Sequence, residues 1–179
     1  MSGHSHWHSI KHKKGATDVK RGKIFSKISR LISIAAREKG GDPESNPRLR
    51  VAISKAKEAN MPKDNIERAI KKGSGQIEGV KMEEIAYEAY GPAGIALIID
   101  VITDNKNRAL SEIKHTLSCS EGKMAETGSV KYLFDKKGGE WIPKYPIEIN
   151  DEKTKSQLER LFDALDENDD VQEIYSNLK

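Results

Sequence analysis

Cysteine is almost missing from this chain of 179 residues, since Cys119 is its single example. One thiol can form neither an intramolecular disulfide nor a cysteine metal cluster. We therefore expect the protein to work in a reducing compartment. We expect Cys119 to be a buried or incidental thiol, because no spaced His and Asn or Asp partners mark it as a nucleophile.

Long apolar runs are missing as well. No stretch of the sequence approaches the ~20 consecutive apolar residues that a membrane-spanning helix needs. The first eight residues contain nothing like the apolar segment of a secretory signal. These two observations predict a cytoplasmic protein that has no membrane partner.

Patterns typical of enzymes are also missing. The glycines do not follow the spacing of a phosphate-binding loop. The acidic residues at Glu83-Glu84 and at 166–170 fall where solvated turns are their usual cause. The histidines of the N-terminus (His4, His6, His8 and His12) could bind Zn²⁺ or Cu²⁺, but a metal site needs surrounding hydrogen bonds to fix its ligands. We predict a protein that is not an enzyme and uses no cofactor, functional metal or small-molecule substrate; a metal-dependent hydrolase is the alternative.

What the sequence has in abundance is positive charge at one end. Residues 1–75 contain 18 Lys and Arg against 7 Asp and Glu, whereas residues 76–179 contain 13 against 21. A basic region attracts polyanions, and an acidic one repels them and favours protein partners or solubility. The two parts of the chain are therefore expected to have different roles.

Hydrophobic periodicity predicts three helices in the basic part. The first runs from about Thr17 to Lys39, with apolar residues from Ile24 to Ala35 on one side and cations on another. Asn46-Pro47 begins a second helix. A third follows Asn60-Met61-Pro62 and ends at Gly73, which suits the left-handed position just past a helix.

After a hinge at Ser74-Gly75-Gln76 the pattern becomes that of strands. From Ile95 the predicted order is β-α-β-β-α-β, with strands that include Ser129–Phe134 and 140–144. We predict an α+β protein in which a three-helix basic domain is hinged to a ferredoxin-like domain with an extra leading strand at Glu83–Tyr90. The predicted domains are a basic flexible arm at 1–16, a nucleic-acid-binding domain at 17–75 and an α/β domain at 76–179.

The strongest functional signal is the arm together with the first helix. Dense positive charge binds nucleic-acid backbones because each neutralised phosphate releases condensed counterions. Aromatic and imidazole rings in the arm could stack on unpaired bases. The predicted nucleic-acid-binding residues are Trp7, Lys11, His12, Lys13, Lys14, Lys20, Arg21, Lys23, Lys27 and Arg30.

The same sequence resembles the YebC/PmpR family over most of its length. The motifs that carry the resemblance are Gly3-His4-Ser5 with Trp7, Lys20-Arg21-Gly22-Lys23-Ile24-Phe25, Asn46-Pro47-Arg48-Leu49-Arg50, Asn60-Met61-Pro62-Lys63-Asp64-Asn65-Ile66, Tyr90-Gly91-Pro92, Thr103-Asp104-Asn105 and Glu126-Thr127-Gly128-Ser129-Val130. The resemblance implies a DNA-binding transcriptional regulator with a three-helix first domain. The family also includes a mitochondrial translational activator, and bacterial members are linked to relief of ribosome stalling.

One departure from the family lies near residue 139. Family members usually contain a third α/β domain where this chain has only Lys137–Trp141. The chain therefore resembles a short, two-domain form.

Two alternatives to a DNA-binding regulator remain open. A translation factor that binds ribosomal RNA or the ribosome would use the same cations, and the rings of the arm suit unpaired bases. A protein-binding adaptor would use them without nucleic acid.

Overall fold

The computed structural model describes residues 18–179 as an α+β fold. The described residues divide into two compact units. A helical unit contains the residues up to Glu84 together with 102–106, and an α/β unit contains residues 85–101 and 107–179.

The helical unit contains three α-helices. They are α1 (Asp18–Lys39), α2 (Pro47–Glu58) and α3 (Lys63–Gly73). Asn46 caps α2, since its side-chain oxygen accepts the backbone N–H of Leu49. The three predicted helices are confirmed, and Thr17, the predicted start of the first, lies outside the described residues.

The core of the helical unit is made of aliphatic residues from all three helices. Ile32, Ala35, Leu49, Ala52 and Ala69 are buried in it. Many of the buried residues are alanines, which let helix axes approach closely. The packing thus depends on short side chains rather than on aromatic ones.

The role predicted for Gly73 is wrong, because this residue lies inside α3 and not beyond it. A Cβ added there would stand 2.2 Å from the backbone oxygen of Ser33 and 2.9 Å from the Cβ of Ala36. Gly75, two residues later, has the positive φ that the end of the helix requires. Gly73 therefore serves the close approach of α3 to α1.

The α/β unit is built around a four-stranded sheet. Its elements are β1 (Glu83–Tyr90), β2 (Ala96–Thr103), α4 (Lys106–Cys119), β3 (Lys123–Met124), β4 (Phe134–Lys137), β5 (Glu140–Pro143), α5 (Glu152–Asp166) and β6 (Val171–Ser176). The sheet has the order β3-β1-β2-β6, and β4 pairs only with β5 in a separate antiparallel hairpin.

The sheet is covered on both faces. Leu97 and Ile99 of β2 join Ile113 of α4 and Leu161 of α5 in one core. The residues that alternate with them, such as Ile98, face a second cluster with Val130, Phe134 and Trp141. A strand buried on both faces reads as a continuous apolar run, as the sequence of β2 does.

The α+β class and the succession of elements are confirmed, but one predicted strand is wrong. Residues 129–133 form a turn and a 3₁₀ helix (Lys131–Leu133), and the strand begins only at Phe134. The β4–β5 hairpin also stands apart from the sheet, where the leading strand β1 takes an inner position. The backbone N–H groups of 130 and 131 are bound by a side chain from β1, so they are not available to a strand ladder.

Replacing Gly73 by Ala should destabilise the protein by about 1–3 kcal/mol, because the new methyl group would overlap backbone atoms of α1. Gly22 provides the control, since nothing lies within 4 Å of a Cβ added there in α1. Gly22→Ala should stabilise by about 0.5–1 kcal/mol through helix propensity. Urea unfolding of both variants measures the difference, and equal effects of the same sign would contradict this account.

Candidate nucleic-acid interface

The first helix is much longer than its partners in the helical unit. At 1.5 Å per residue its 22 residues extend for about 33 Å, nearly twice the length of α2 or α3. Among the side chains described from Lys20 onward, apolar contacts with the bundle begin at Phe25 and continue through Ile28, Leu31 and Ile32. The turn before Phe25 therefore projects beyond the helical core.

Ile24 shows the consequence of this projection. The sequence predicts it on the buried face, but 43% of its surface is exposed. Ile24 falls on the same side of α1 as Ile28 and Leu31, but the core of the unit covers only the latter two. Exposure at this end suits a surface that meets a ligand.

Four of the predicted binding residues share one face of α1. At 3.6 residues per turn, Lys20, Lys23, Lys27 and Arg30 fall within about 80° of the helix circumference. Arg21 is exposed, but it lies about 100° from Lys20, on the side away from Arg30. The helix thus brings together four of its five predicted cations.

Arginines of α1 also have structural partners. Arg30 Nη1 donates to the backbone oxygen of Ile102 at 3.1 Å. Arg37 donates to the backbone oxygen of Met82. Arg30 therefore also ties α1 to Ile102 at the end of β2, within the same unit, so its removal would affect more than ligand binding.

Half of the predicted binding residues lie outside the described residues. They are Trp7, Lys11, His12, Lys13 and Lys14. Their role in binding stays a prediction from the sequence. The four histidines considered as metal ligands lie outside the described residues too.

The acidic residues at 83–84 are ion-paired rather than merely solvated. Arg48 of α2 reaches Glu38 and, through both carboxylate oxygens, Glu84 at 2.7 and 2.8 Å. Burial opposes the charge of Arg48, but the two carboxylates prevail and raise its pKa above the ordinary value. Glu83 pairs with Lys106, whose ammonium group lowers the pKa of that carboxyl. Residues 83–84 and 106 belong to the helical unit, so these contacts lie within that unit.

The acidic cluster at 166–170 also differs from the expectation of a solvated turn. The side chain of Asp170 is only 2% exposed and pairs with Arg108 Nη2 at 2.8 Å. Asn168 accepts the backbone N–H of Asp170 and donates to Glu112. The cluster is a structural joint between α4 and the loop before β6.

Cys119 is exposed, so of the two expected states, a buried or an incidental thiol, the buried one is wrong. Its sulfur lies 3.7 Å from Nε2 of His115, one turn earlier on α4. The described part of the chain contains no group of three or more His, Cys, Asp or Glu that could hold a metal ion. Among residues 18–179, no helix is both long and apolar enough to cross a membrane.

A buried carboxylate was missed by the sequence analysis. Glu88 of β1 is 2% exposed, and it accepts the backbone N–H groups of Gly128, Val130 and Lys131 at 2.7–2.9 Å. Tyr90 supports the same loop by donating to the backbone oxygen of Ser129. A lone Glu in an alternating strand gives no sequence signal for such a role, because its partners lie some forty residues away.

The hydrogen bonds to Glu88 decide its ionisation. Burial alone would raise the pKa of this carboxyl, but the three N–H donors and the ammonium group of Lys131 lower it below the ordinary 4.5. A group with a lowered pKa in the folded state stabilises the fold above its unfolded pKa. That stabilisation is lost as the pH falls through the folded pKa.

Replacing Glu88 by Gln should lower the free energy of unfolding by about 2–3 kcal/mol at neutral pH, because an amide cannot accept all three N–H groups. The difference from wild type should shrink as the pH falls below about 4.5. Urea unfolding across this range measures it. Glu126→Gln, a change of an exposed carboxyl in the same loop, serves as the control. A difference independent of pH would contradict the assignment.

The arrangement of elements and motifs agrees with known proteins. Residues 5–76 match the family described as "TACO1/YebC protein N-terminal domain". Residues 82–139 and 139–178 match the family described as "TACO1/YebC second and third domain". The second match is divided at residue 139, within the turn between β4 and β5.

Proteins of several bacteria are similar to this chain in sequence. A probable transcriptional regulatory protein of Petrotoga mobilis is 56% identical over 174 residues, which cover 97% of this chain and 69% of the relative. Another, from Persephonella marina, is 41% identical over 240 aligned positions and covers 100% of this chain and 96% of the relative. Since this chain has 179 residues, that relative contains a segment which is missing here. This chain is thus shorter than that relative, and that the missing segment is a third domain stays a prediction.

A solved structure shows the same fold. The crystal structure of a conserved hypothetical protein from Aquifex aeolicus superimposes with a TM-score of 0.88 at 37% identity, covering 97% of this chain and 96% of that one. The matches together extend over nearly the whole sequence. This chain therefore belongs to the TACO1/YebC family, in which relatives are named probable transcriptional regulatory proteins.

Proposed function

We propose that this protein is a non-enzymatic, cytoplasmic regulator of gene expression that binds nucleic acid through its N-terminal arm and α1. The observation that carries the proposal is the division of charge. Residues 1–75 have 18 basic against 7 acidic residues, and residues 76–179 have 13 against 21. Such segregation costs electrostatic free energy unless a polyanion binds the basic part.

The projecting end of α1 supports this proposal. Lys20 and Arg21 are exposed there, and Lys23 and Lys27 continue the cationic face toward the bundle. In sequence, Lys11, Lys13 and Lys14 precede this end by only a few residues. The arm and the helix would therefore neutralise neighbouring phosphates of one backbone.

The residue types favour binding to the backbone over reading of bases. Three of the four cations on the shared face are Lys, which acts as a point charge, whereas base edges are read mainly by bidentate Arg, Asn and Gln. Binding by this face is therefore expected to depend on phosphate spacing more than on sequence. The names of the relatives favour DNA as the ligand.

A ribosome-binding translation factor is the second candidate. It is favoured because binding through lysines to phosphates does not depend on the base sequence and therefore suits ribosomal RNA as well as DNA. Co-sedimentation with ribosomes and a gel shift on random duplex DNA separate the two. A ribosomal fraction without a duplex complex supports the translation factor. Specific enrichment of promoter DNA without a ribosomal fraction supports the transcriptional regulator. A protein complex that persists in excess polynucleotide would instead indicate an adaptor.

Neutralising about six phosphates should give a log–log salt slope near −5 on duplex DNA. Replacing Lys20, Lys23 and Lys27 together by Gln should bring this slope about 3 units closer to zero, since each lysine accounts for about one phosphate. Fluorescence anisotropy at several salt concentrations measures both slopes. A wild-type slope near zero would overturn the proposal.

A charge-matched control distinguishes α1 from the rest of the helical unit. Lys55, Lys57 and Lys71 are exposed on α2 and α3. Replacing these three by Gln should leave the slope nearly unchanged. An equal loss in both triple variants would show that the binding charge is spread over the unit and not concentrated on α1.

A further inference from the structure

The β4–β5 hairpin occupies the point at which the family match is divided. Its turn is closed by Gly138 and Gly139, with φ of 59° and 92°. Two successive residues with positive φ are typical of a type I′ turn, which joins adjacent antiparallel strands with two residues. In this chain a short, exposed hairpin therefore stands where the match to the family's second and third domains is divided.

The hairpin differs in charge from the unit that contains it. Residues 131–145 contain four lysines against Asp135 and Glu140, whereas residues 76–179 as a whole are acidic. Lys136 and Lys137 are exposed close to the turn. An anionic ligand that approaches the α/β unit would thus meet its positive charge here.

Two tyrosines lie at the base of the hairpin and face solvent. Tyr132 is 63% exposed and Tyr145 is 67% exposed. The ladder ends at the pair Phe134↔Pro143, and Lys144 continues it by donating its N–H to the backbone oxygen of Leu133. Tyr132 lies in the 3₁₀ helix just before β4, and Tyr145 follows the end of β5 by two residues, so both residues lie at the open end of the hairpin.

Lys144 connects the two tyrosine segments. Its Nζ donates to the backbone oxygen of Tyr132 at 3.0 Å and lies 3.5 Å from Asp135. Nearer the turn, Nζ of Lys136 sits 4.9 Å from the centre of the Trp141 ring. Trp141 itself packs against the sheet, so it anchors the hairpin and holds the ammonium group of Lys136 at its surface.

We propose that this hairpin is a second nucleic-acid contact, specific for unpaired nucleotides, in which Tyr132 and Tyr145 stack on bases while Lys136 and Lys137 bind phosphates. Exposed aromatic rings beside lysines are the arrangement with which proteins bind single strands, because every base has a face on which a ring can stack. The inference rests on the proposed function and adds a ligand class and a site to it.

The test compares a labelled single-stranded oligouridine with an RNA duplex of equal length, using the full chain and fluorescence anisotropy. Tyr132→Ala with Tyr145→Ala should weaken binding of the single strand at least tenfold and leave its salt slope unchanged. Binding of the duplex should not change, since paired bases are not available for stacking. A parallel series with oligodeoxyuridine, which keeps the base and removes the 2′-hydroxyl, should show the same loss, since stacking does not depend on the sugar.

Two matched variants complete the design. Tyr132→Phe with Tyr145→Phe keeps both rings and should bind the single strand like wild type. Lys136→Gln with Lys137→Gln should reduce the salt slope by about 2 units. Lys114→Gln with Lys123→Gln removes two exposed lysines elsewhere in the same unit. This control variant should leave the salt slope unchanged.

The outcomes separate this inference from the proposed function. Binding of neither strand by wild type at low salt would overturn both. Normal binding of the single strand by the double alanine variant would overturn the hairpin contact alone. Equal loss of single-strand and duplex binding by that variant would also overturn the hairpin contact, since stacking would then not be the cause.

Discussion

The buried side chain of Asn46 determines how the helical unit holds together. Its Nδ2 donates to the backbone oxygens of Ala35 and Gly40 at 2.8 and 2.9 Å, and its Oδ1 accepts the N–H of Leu49. One amide thus provides hydrogen-bond partners for backbone groups at the end of α1, in the following loop and at the start of α2. The direction of α1 is set by packing from Phe25 onward, where Phe25, Ile28 and Ile32 contact the core of the unit. The helix that carries the cations is therefore held in place by an apolar core that contains none of those cations.

In the α/β unit the equivalent fixed point is Glu88. A carboxylate that binds three N–H donors of one loop holds the segment before the hairpin in a single conformation. The hairpin is then anchored on the sheet by Phe134 and Trp141. Rigid support of this kind lowers the entropy lost when exposed rings or ammonium groups bind a ligand.

The sequence predicted elements well where the signal was local. The start of α2 followed from Asn46-Pro47, and the continuous apolar run of β2 is that of a strand covered on both faces. Arg21 could have been separated from the other cations of α1 by its helical angle alone. These features need only neighbouring residues to be interpreted.

The errors arose where distant residues decide the outcome. Residues 129–133 alternate like a strand, but Glu88 removes the donors that a ladder would need. In sequence Asp170 resembles a solvated acidic residue of a turn, but in the structure it pairs with Arg108, which lies 62 residues earlier. The role of Gly73 depends on Ser33 of another helix. Charge density predicted an interface but not its extent, since only the packing shows which end of α1 projects.

The glycine turn of the hairpin has a consequence for the history of the molecule. Lys137 and Glu140 are register partners, so the chain leaves and re-enters the scaffold at adjacent points. Paired strand ends of this kind accept a whole domain or a two-residue closure without any displacement of the sheet behind them. Gain or loss of a domain at this turn therefore changes the chain at one point only. The length of the inserted segment can vary while the rest of the fold stays the same.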